Sequence, residues 1–475
     1  MIENVIPATL LALLAPFAGI FSRPGFENFQ ALVVGWILCP GRHTISRVIQ
    51  ASAGMRRRHK HHTAFYRFFS RSGWSVDALG NILLDLLLPF AGPEVVLVVD
   101  DTLCHRSGSH LFGAAMHHDA LRSTYMRGGT GGRTVSFAFG HNWVVLAIAI
   151  TPPWNVERRF VVPVLFRLYR SKKRTPSTQY RKRTELAAEL LRLVIDVLPD
   201  DRRVHVVGDS EYACKTLVPS LPPYVHFTGP ITMDAALYAK PKPYGGKGRP
   251  RVKGERLASP EKLARSRSTP WRIITACIYG RKVSIQVKTC DCLWYTVART
   301  RLVRVVLTRD PKGRLQGRAY FSTDTECSAE DILRVFSFRW EIEVAFRNTK
   351  QTLGLQDAQN GWWRRRAHAP KPRQRAGPNP KGQCGMNAIS HTLPIGFLAY
   401  ALVLLWYFQS GNSALDVARA RREAPWYTQK TEPSFADMLV AIRRQIWKQR
   451  LSTNPPRGRL PEKIEQQLPD WVLAA

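Results

Sequence analysis

The chain has 475 residues, room for about three domains and a sizeable hydrophobic core, which excludes disorder throughout. Apolar residues make up 45% and charged residues 22%, ordinary proportions for a soluble globular protein, so the balance of charge carries the information. Lysine and arginine number 70 against 35 acidic residues, a net charge of +35; this points to a polyanion, nucleic acid ahead of an anionic membrane, and exceeds what acidic small molecules require.

Residues 1–88 read as a helical, DNA-binding domain, with apolar residues at helical spacing through Thr9–Ile20, Phe29–Leu38 and Val76–Leu88. The apolar run Val5 to Phe21 lacks a basic flank, follows Glu3 and contains two prolines, so it reads as a buried helix and not as a signal peptide. Arg56-Arg57-Arg58-His59-Lys60-His61-His62 precedes Ala64-Phe65-Tyr66-Arg67-Phe68-Phe69. Such a basic, aromatic segment suits docking on DNA, and equally suits a solvated charged face with a buried aromatic stripe behind it.

From Glu94 the pattern becomes that of an α/β domain. Glu94–Val99 is a continuous β-branched run, suited to a strand covered on both faces, and ends on Asp100-Asp101. Thr134–Phe139 and Trp143–Ile150 read as strands joined by a Gly140-His141-Asn142 hairpin, Ser177–Leu198 as an amphipathic helix, and Val204–Val207 as a short strand ending in Gly208-Asp209. Residues 89–239 thus form a first core segment with a mixed sheet, in which two strands each deliver a carboxylate at the C-terminal end.

Residues 240–325 read as a basic loop followed by a β-rich insertion. The loop, 240–256, has seven Lys or Arg against one Glu, and the expected strands are Trp271–Ile278, Lys282–Lys288, Leu293–Val297, Arg304–Leu307 and Ala319–Phe321. Residues 326–410 complete the core with a helix over Asp331–Leu353, N-capped at Ser328, an Arg- and Pro-rich loop at 364–381, and a core helix over Ile395–Phe408. That last run has 14 residues, short of the roughly 20 a spanning helix needs. Residues 411–475 are a basic C-terminal region. Eight cysteines without a CxxC pair exclude a disulfide framework and favour a reducing, cytoplasmic compartment.

On the helix from Asp331, Arg339, Glu343, Arg347 and Lys350 fall on one stripe, while Glu341 points away. A single acid among three cations is ordinarily a salt-bridged surface stripe. Together with the strand-borne Asp100 and Asp209, however, Glu343 makes three carboxylates from separate elements, the hard-oxygen set that a two-metal phosphoryl-transfer site needs. Asp101 adjoins Asp100 and would face the other way on a strand, so alternation alone leaves both open.

Phe336 to Lys350 resembles the Tyr-x2-Arg-x3-Glu-x6-Lys signature of bacterial insertion-sequence transposases of the DDE type, with Arg339, Glu343 and Lys350 matching in type and spacing. Asp100-Asp101-Thr102 and Val206-Val207-Gly208-Asp209-Ser210 resemble the contexts of that family's two aspartates. The signature tyrosine is Phe336 here, which leaves no hydroxyl for a DNA phosphate and puts a hairpin intermediate in doubt. The resemblance implies a ribonuclease-H-like α/β core. Asp100, Asp209 and Glu343 would be catalytic and would bind two Mg²⁺, with Mn²⁺ as a substitute. Arg339, Lys350 and Arg347 would hold DNA phosphates. The implied partners are double-stranded DNA, as terminal repeats and target, and a second copy of the chain in a synaptic homodimer, without a membrane, at the nucleoid. A catalytically silent DNA-binding descendant and a DDE nuclease without strand transfer are the competing readings.

Other motifs carry less. His59, His61, His62, His105, His110, His117 and His118 lack zinc-site spacing, and residues 126–133 are glycine-rich without the Gly-Lys-Ser/Thr ending of a P-loop. Ser109 beside His110 has no nucleophile elbow around it.

Overall fold

A computed structural model describes residues 6–53, 60–107, 111–119, 122–123, 135–243, 249–313, 317–358 and 382–453. Residues 56–59 of the basic aromatic segment, the glycine-rich 126–133, Ser109 and His110, part of the loop at 240–256, and the loop at 364–381 lie outside the described residues.

The N-terminal elements are α1 (Ala8–Leu14), α2 (Arg23–Leu38), α3 (Ile45–Ala51), α4 (His62–Ser70) and α5 (Val76–Leu87). Pro16 tightens the chain after α1 into a 3₁₀ turn, so the helix expected to reach Ile20 stops early. The Ser22 hydroxyl caps α2 by accepting from the Gly25 N–H, and Pro24 occupies its first turn, where no donor is needed. These helices pack around α10 (Gln383–Ser410), which is twice as long as the apolar run suggests and runs through Pro394. Among the described residues it is the one helix long and apolar enough to cross a membrane, yet almost all of that apolar stretch is buried against protein. The Trp36 indole donates to the Leu353 carbonyl at 2.8 Å and the His43 N–H to Asp357 at 2.9 Å, so residues 8–90 share a core with the rest of the chain.

Among the described residues, ten strands form one mixed sheet. Its strands are β1 (Glu94–His105), β2 (Ala115–His118), β3 (Phe137–Ile150), β4 (Phe160–Tyr169), β5 (Arg203–Gly208), β6 (Val225–Ile231), β7 (Arg272–Ile278), β8 (Arg281–Leu293), β9 (Leu302–Arg309) and β10 (Arg318–Ser322). The order is β2-β3-β1-β5-β6-β10-β9-β8-β7, with β4 also paired to β3. β1, β5 and β6 run parallel, β3 and β4 are antiparallel neighbours, and β7 to β10 extend the same sheet from β6 as an antiparallel meander. One face, with Val96, Val98 and Val207, is covered by α9 (Ala329–Thr352); the other, with Leu97 and Val99, by α6 (Arg183–Ile195) and its neighbours. Covering on both faces accounts for the unalternating apolar run of β1.

Several expectations are corrected. Gly140-His141-Asn142 is no hairpin: β3 runs straight through it, and Gly140 is required because a Cβ there would stand 2.3 Å from the Cys104 carbonyl oxygen. β1 does not end at the aspartates; only its pairing with β5 does, at Val99 opposite Gly208, while pairing with β3 continues to His105. Leu293–Val297 closes β8 and enters a short helical turn, α8 (Tyr295–Ala298), instead of forming a strand. β4 and β6 were not anticipated, and α6 starts at Arg183, six residues later than expected.

Candidate active site

The register of two parallel strands brings the first two acids together. Val98 pairs with Val207 and Val99 with Gly208, so the next residues, Asp100 and Asp209, stand side by side and leave the sheet on the face that α9 covers. Asp101 falls on the opposite face, where its carboxylate accepts from Asn142 Nδ2 at 2.6 Å and from Arg183 Nη1 at 3.4 Å. Asp209 is fixed by its own chain: Oδ1 accepts from the Glu211 N–H at 2.8 Å.

The third acid arrives on α9, whose N-terminus is capped by the Ser328 hydroxyl accepting from the Asp331 N–H at 3.0 Å. Val335, Phe338, Ile342 and Phe346 bury one side of this helix against β1 and β5, which turns Arg339 and Glu343 toward the aspartates. Arg339 is the centre of the arrangement. Its Nη1 donates to Asp100 Oδ2 at 3.1 Å and its Nη2 to Glu343 Oε1 at 2.5 Å. Burial works against its charge, but Asp100, Glu343 and Asp209 together hold its pKa above the ordinary value. Lys350, two turns beyond Glu343, donates to the Leu103 carbonyl of β1 at 2.9 Å. Arg347 is exposed and touches none of the three acids. Glu341, on the far side of α9, lies within the fields of Arg158 and Arg347, and burial raises its pKa.

Asp100 is buried, and burial pushes its pKa well above the carboxylate range; Arg339 opposes that shift, while Asp101 and Asp209 add to it. A negative site that one guanidinium only partly neutralises has the charge and the hard-oxygen donors for a divalent ion. Among the described residues no three His, Cys, Asp or Glu side chains stand close enough to chelate one ion, with Arg339 lying between Asp100 and Glu343.

The sequence reading missed three contributors. Arg183 ties Asp101 to Glu211, reaching the latter at 2.7 Å; Tyr212 is buried behind both aspartates; and Tyr320 of β10 packs its ring on Phe336 at 4.6 Å, with its phenol in the fields of Arg318 and Arg339. No sequence motif marks any of them. Only the fold joins residues more than 80 positions apart, as it does Asp101 and Arg183.

A mixed sheet that sets two acids beside each other on adjacent parallel strands, with a third on the covering helix, defines the DDE class of phosphoryl-transfer enzymes. A family model described as "DDE superfamily endonuclease" matches residues 16–280, more than half of the chain, and includes Asp100 and Asp209. The chain belongs to that superfamily. A second, described as "archaeal putative transposase ISC1217", matches residues 295–368 and includes Glu343. Together the two matches support a transposase. No curated protein matches the chain.

Proposed function

We propose that the chain is an insertion-sequence transposase of the Tyr-Arg-Glu-Lys branch, cutting DNA at element ends and joining the freed 3′-hydroxyl to target DNA. The observation that carries this reading is Arg339 bridging Asp100 and Glu343, with Asp209 beside Asp100 on the adjacent parallel strand. Asp100, Asp209 and Glu343 would hold two Mg²⁺ ions, or Mn²⁺ in their place, which when bound supply an activated water and charge neutralisation at the leaving oxygen.

The chain's own residues account for the rest. Arg339 has a planar fork suited to a phosphate, and the carboxylates that now occupy it are the ones a metal would engage. Lys350 and the exposed Arg347 bring further cations along α9 for the scissile strand. Phe336 offers no hydroxyl, so a hairpin intermediate would have to be held without that group. Double-stranded DNA is the substrate, the helices of residues 1–88 and the loop at 240–256 would follow its backbone, and a homodimer would pair the two ends at the nucleoid.

Labelled terminal-repeat DNA incubated with Mg²⁺ and a target plasmid tests the reading. Joined product supports transposition, nicking alone a nuclease, and a gel shift without either a silent binder. Glu343→Gln is expected to abolish cleavage while leaving salt-sensitive DNA binding intact; unchanged cutting would remove Glu343 from the mechanism.

A further inference from the structure

We propose that the connection between β4 and α6 together with the first residue of that helix, residues 170–183, is a docking surface for the sugar–phosphate backbone of duplex DNA on the approach to the Asp100–Asp209 end of the sheet. The proposal rests on the reading of the chain as a DNA-cutting enzyme and adds a surface to it. This segment contains seven Lys or Arg and no acid. Its cations divide into two groups with different tasks.

Three arginines build the loop. Arg170 lies over the Phe112 ring at 4.8 Å and donates to Gln179 at 3.2 Å; Arg174 donates to the Ala114 carbonyl at 2.9 Å; Arg183 is pinned between Asp101 and Glu211. Buried Thr175 closes the turn by donating to the Ser171 carbonyl at 3.0 Å. The other four, Lys172, Lys173, Arg181 and Lys182, are exposed, and their side chains form no ion pair among the described residues; the Lys182 backbone N–H donates to Glu185 at 2.8 Å and Arg181 Nη1 to the Tyr180 carbonyl at 3.0 Å. A loop held by three of its own cations brings these four to its surface with the backbone already ordered, which lowers the ordering cost of binding.

Position connects the loop to the site. β3 is antiparallel to both β1 and β4, so β4 runs parallel to β1 and ends at the same edge of the sheet; through Val145, Phe166 stands level with Asp100. Two strand spacings sideways and four residues onward put the start of the loop roughly 16 Å from Asp100, or about five base-pair steps of duplex at 3.4 Å each. Its composition narrows the partner. A membrane surface calls for apolar side chains that insert, and none of the exposed large hydrophobic residues falls within 170–183. Single strands call for an open aromatic platform, but the loop's one aromatic ring, Tyr180, packs at 6.4 Å from Tyr169. Outward cations without stacking or insertion residues suit a duplex backbone.

The test is the full-length chain carrying Lys172→Gln, Lys173→Gln, Arg181→Gln and Lys182→Gln together. Binding to a fluorescent duplex of arbitrary sequence is measured over a salt series, with a thermal melt to verify folding. The variant is expected to melt as wild type, to bind about tenfold or more weakly, and to lose roughly three to four units of the log K against log salt slope, at about 0.9 per phosphate contact. A second unrelated duplex should show the same loss. Unchanged affinity and slope in the folded variant overturn the proposal, as does a loss confined to anionic vesicles. Wild type that binds and cuts DNA while the variant does so equally well defeats this surface alone; wild type with no salt-sensitive DNA binding defeats the enzymatic reading with it. Should the fourfold variant not fold, Lys172→Gln with Lys173→Gln is expected to remove roughly two units of slope, and an unchanged slope there is equally decisive.

Discussion

Asp100 is the residue at which stability and the proposed chemistry oppose each other. A buried carboxylate flanked by Asp101 and Asp209 is costly to keep charged, even with Arg339 beside it. Asp100→Asn should therefore abolish metal-dependent cleavage without lowering the melting temperature; a large fall in melting temperature would assign the acid a structural task. His141 shows the opposite sign for a base. It is buried, accepts from Arg106 Nε at 3.1 Å through Nδ1 and meets the Phe112 carbonyl through Nε2 at 2.9 Å, and burial first, with the Arg106 charge second, lowers its pKa to about 3. Burial likewise lowers His117 to about 4. Because the unfolded chain takes up these protons near pH 6.5 and the folded chain does not, their contribution to stability is complete above pH 6.5 and is lost as pH falls, by up to ~1.36 kcal/mol per pH unit for each. His141→Gln, which can keep one acceptor and one donor, should flatten the acid limb of a urea-denaturation series between about pH 6 and 4; an unchanged slope would refute the assignment.

Among the elements, α9 was legible and β1 only half so, for reasons of range. Arg339, Glu343 and Lys350 sit on one helix, and a period of 3.6 fixes their shared face locally. β1 is covered on both faces, so its apolar run carries no alternation and does not say which of Asp100 and Asp101 faces α9; the pairing with β5, more than 100 residues away, sets that. β4 was obscured by Pro163, which it tolerates because it is an edge strand paired only to β3. Residues 177–182 carry an amphipathic pattern yet belong to a loop whose charge count matches that of the basic loops at 240–256 and 364–381. In the sequence, glycine at 140 suggests a turn; in the structure it marks a close approach of backbones. Gly140→Ala should accordingly cost about 1–3 kcal/mol by chemical denaturation, an overpacking penalty that a simple loop glycine would not incur.

The molecule as a whole carries a net charge of +35, and the repulsion among its excess cations opposes compaction. Raising salt from about 20 to 200 mM shortens the screening length and should raise the melting temperature, and duplex DNA at low salt should do so further by binding the folded state. A melting temperature indifferent to both would mean that the excess charge is already neutralised within the fold. The way residues 8–90 are joined to the remainder bears on redesign. Trp36 and His43 are fastened to the segment just beyond α9, the helix that holds Glu343, and α10 threads the same apolar interior. A chimera that replaced only this leading region with a DNA-recognition module would strip α10 and unseat the end of α9. Reprogramming where such an enzyme cuts would therefore require grafting its partners as well.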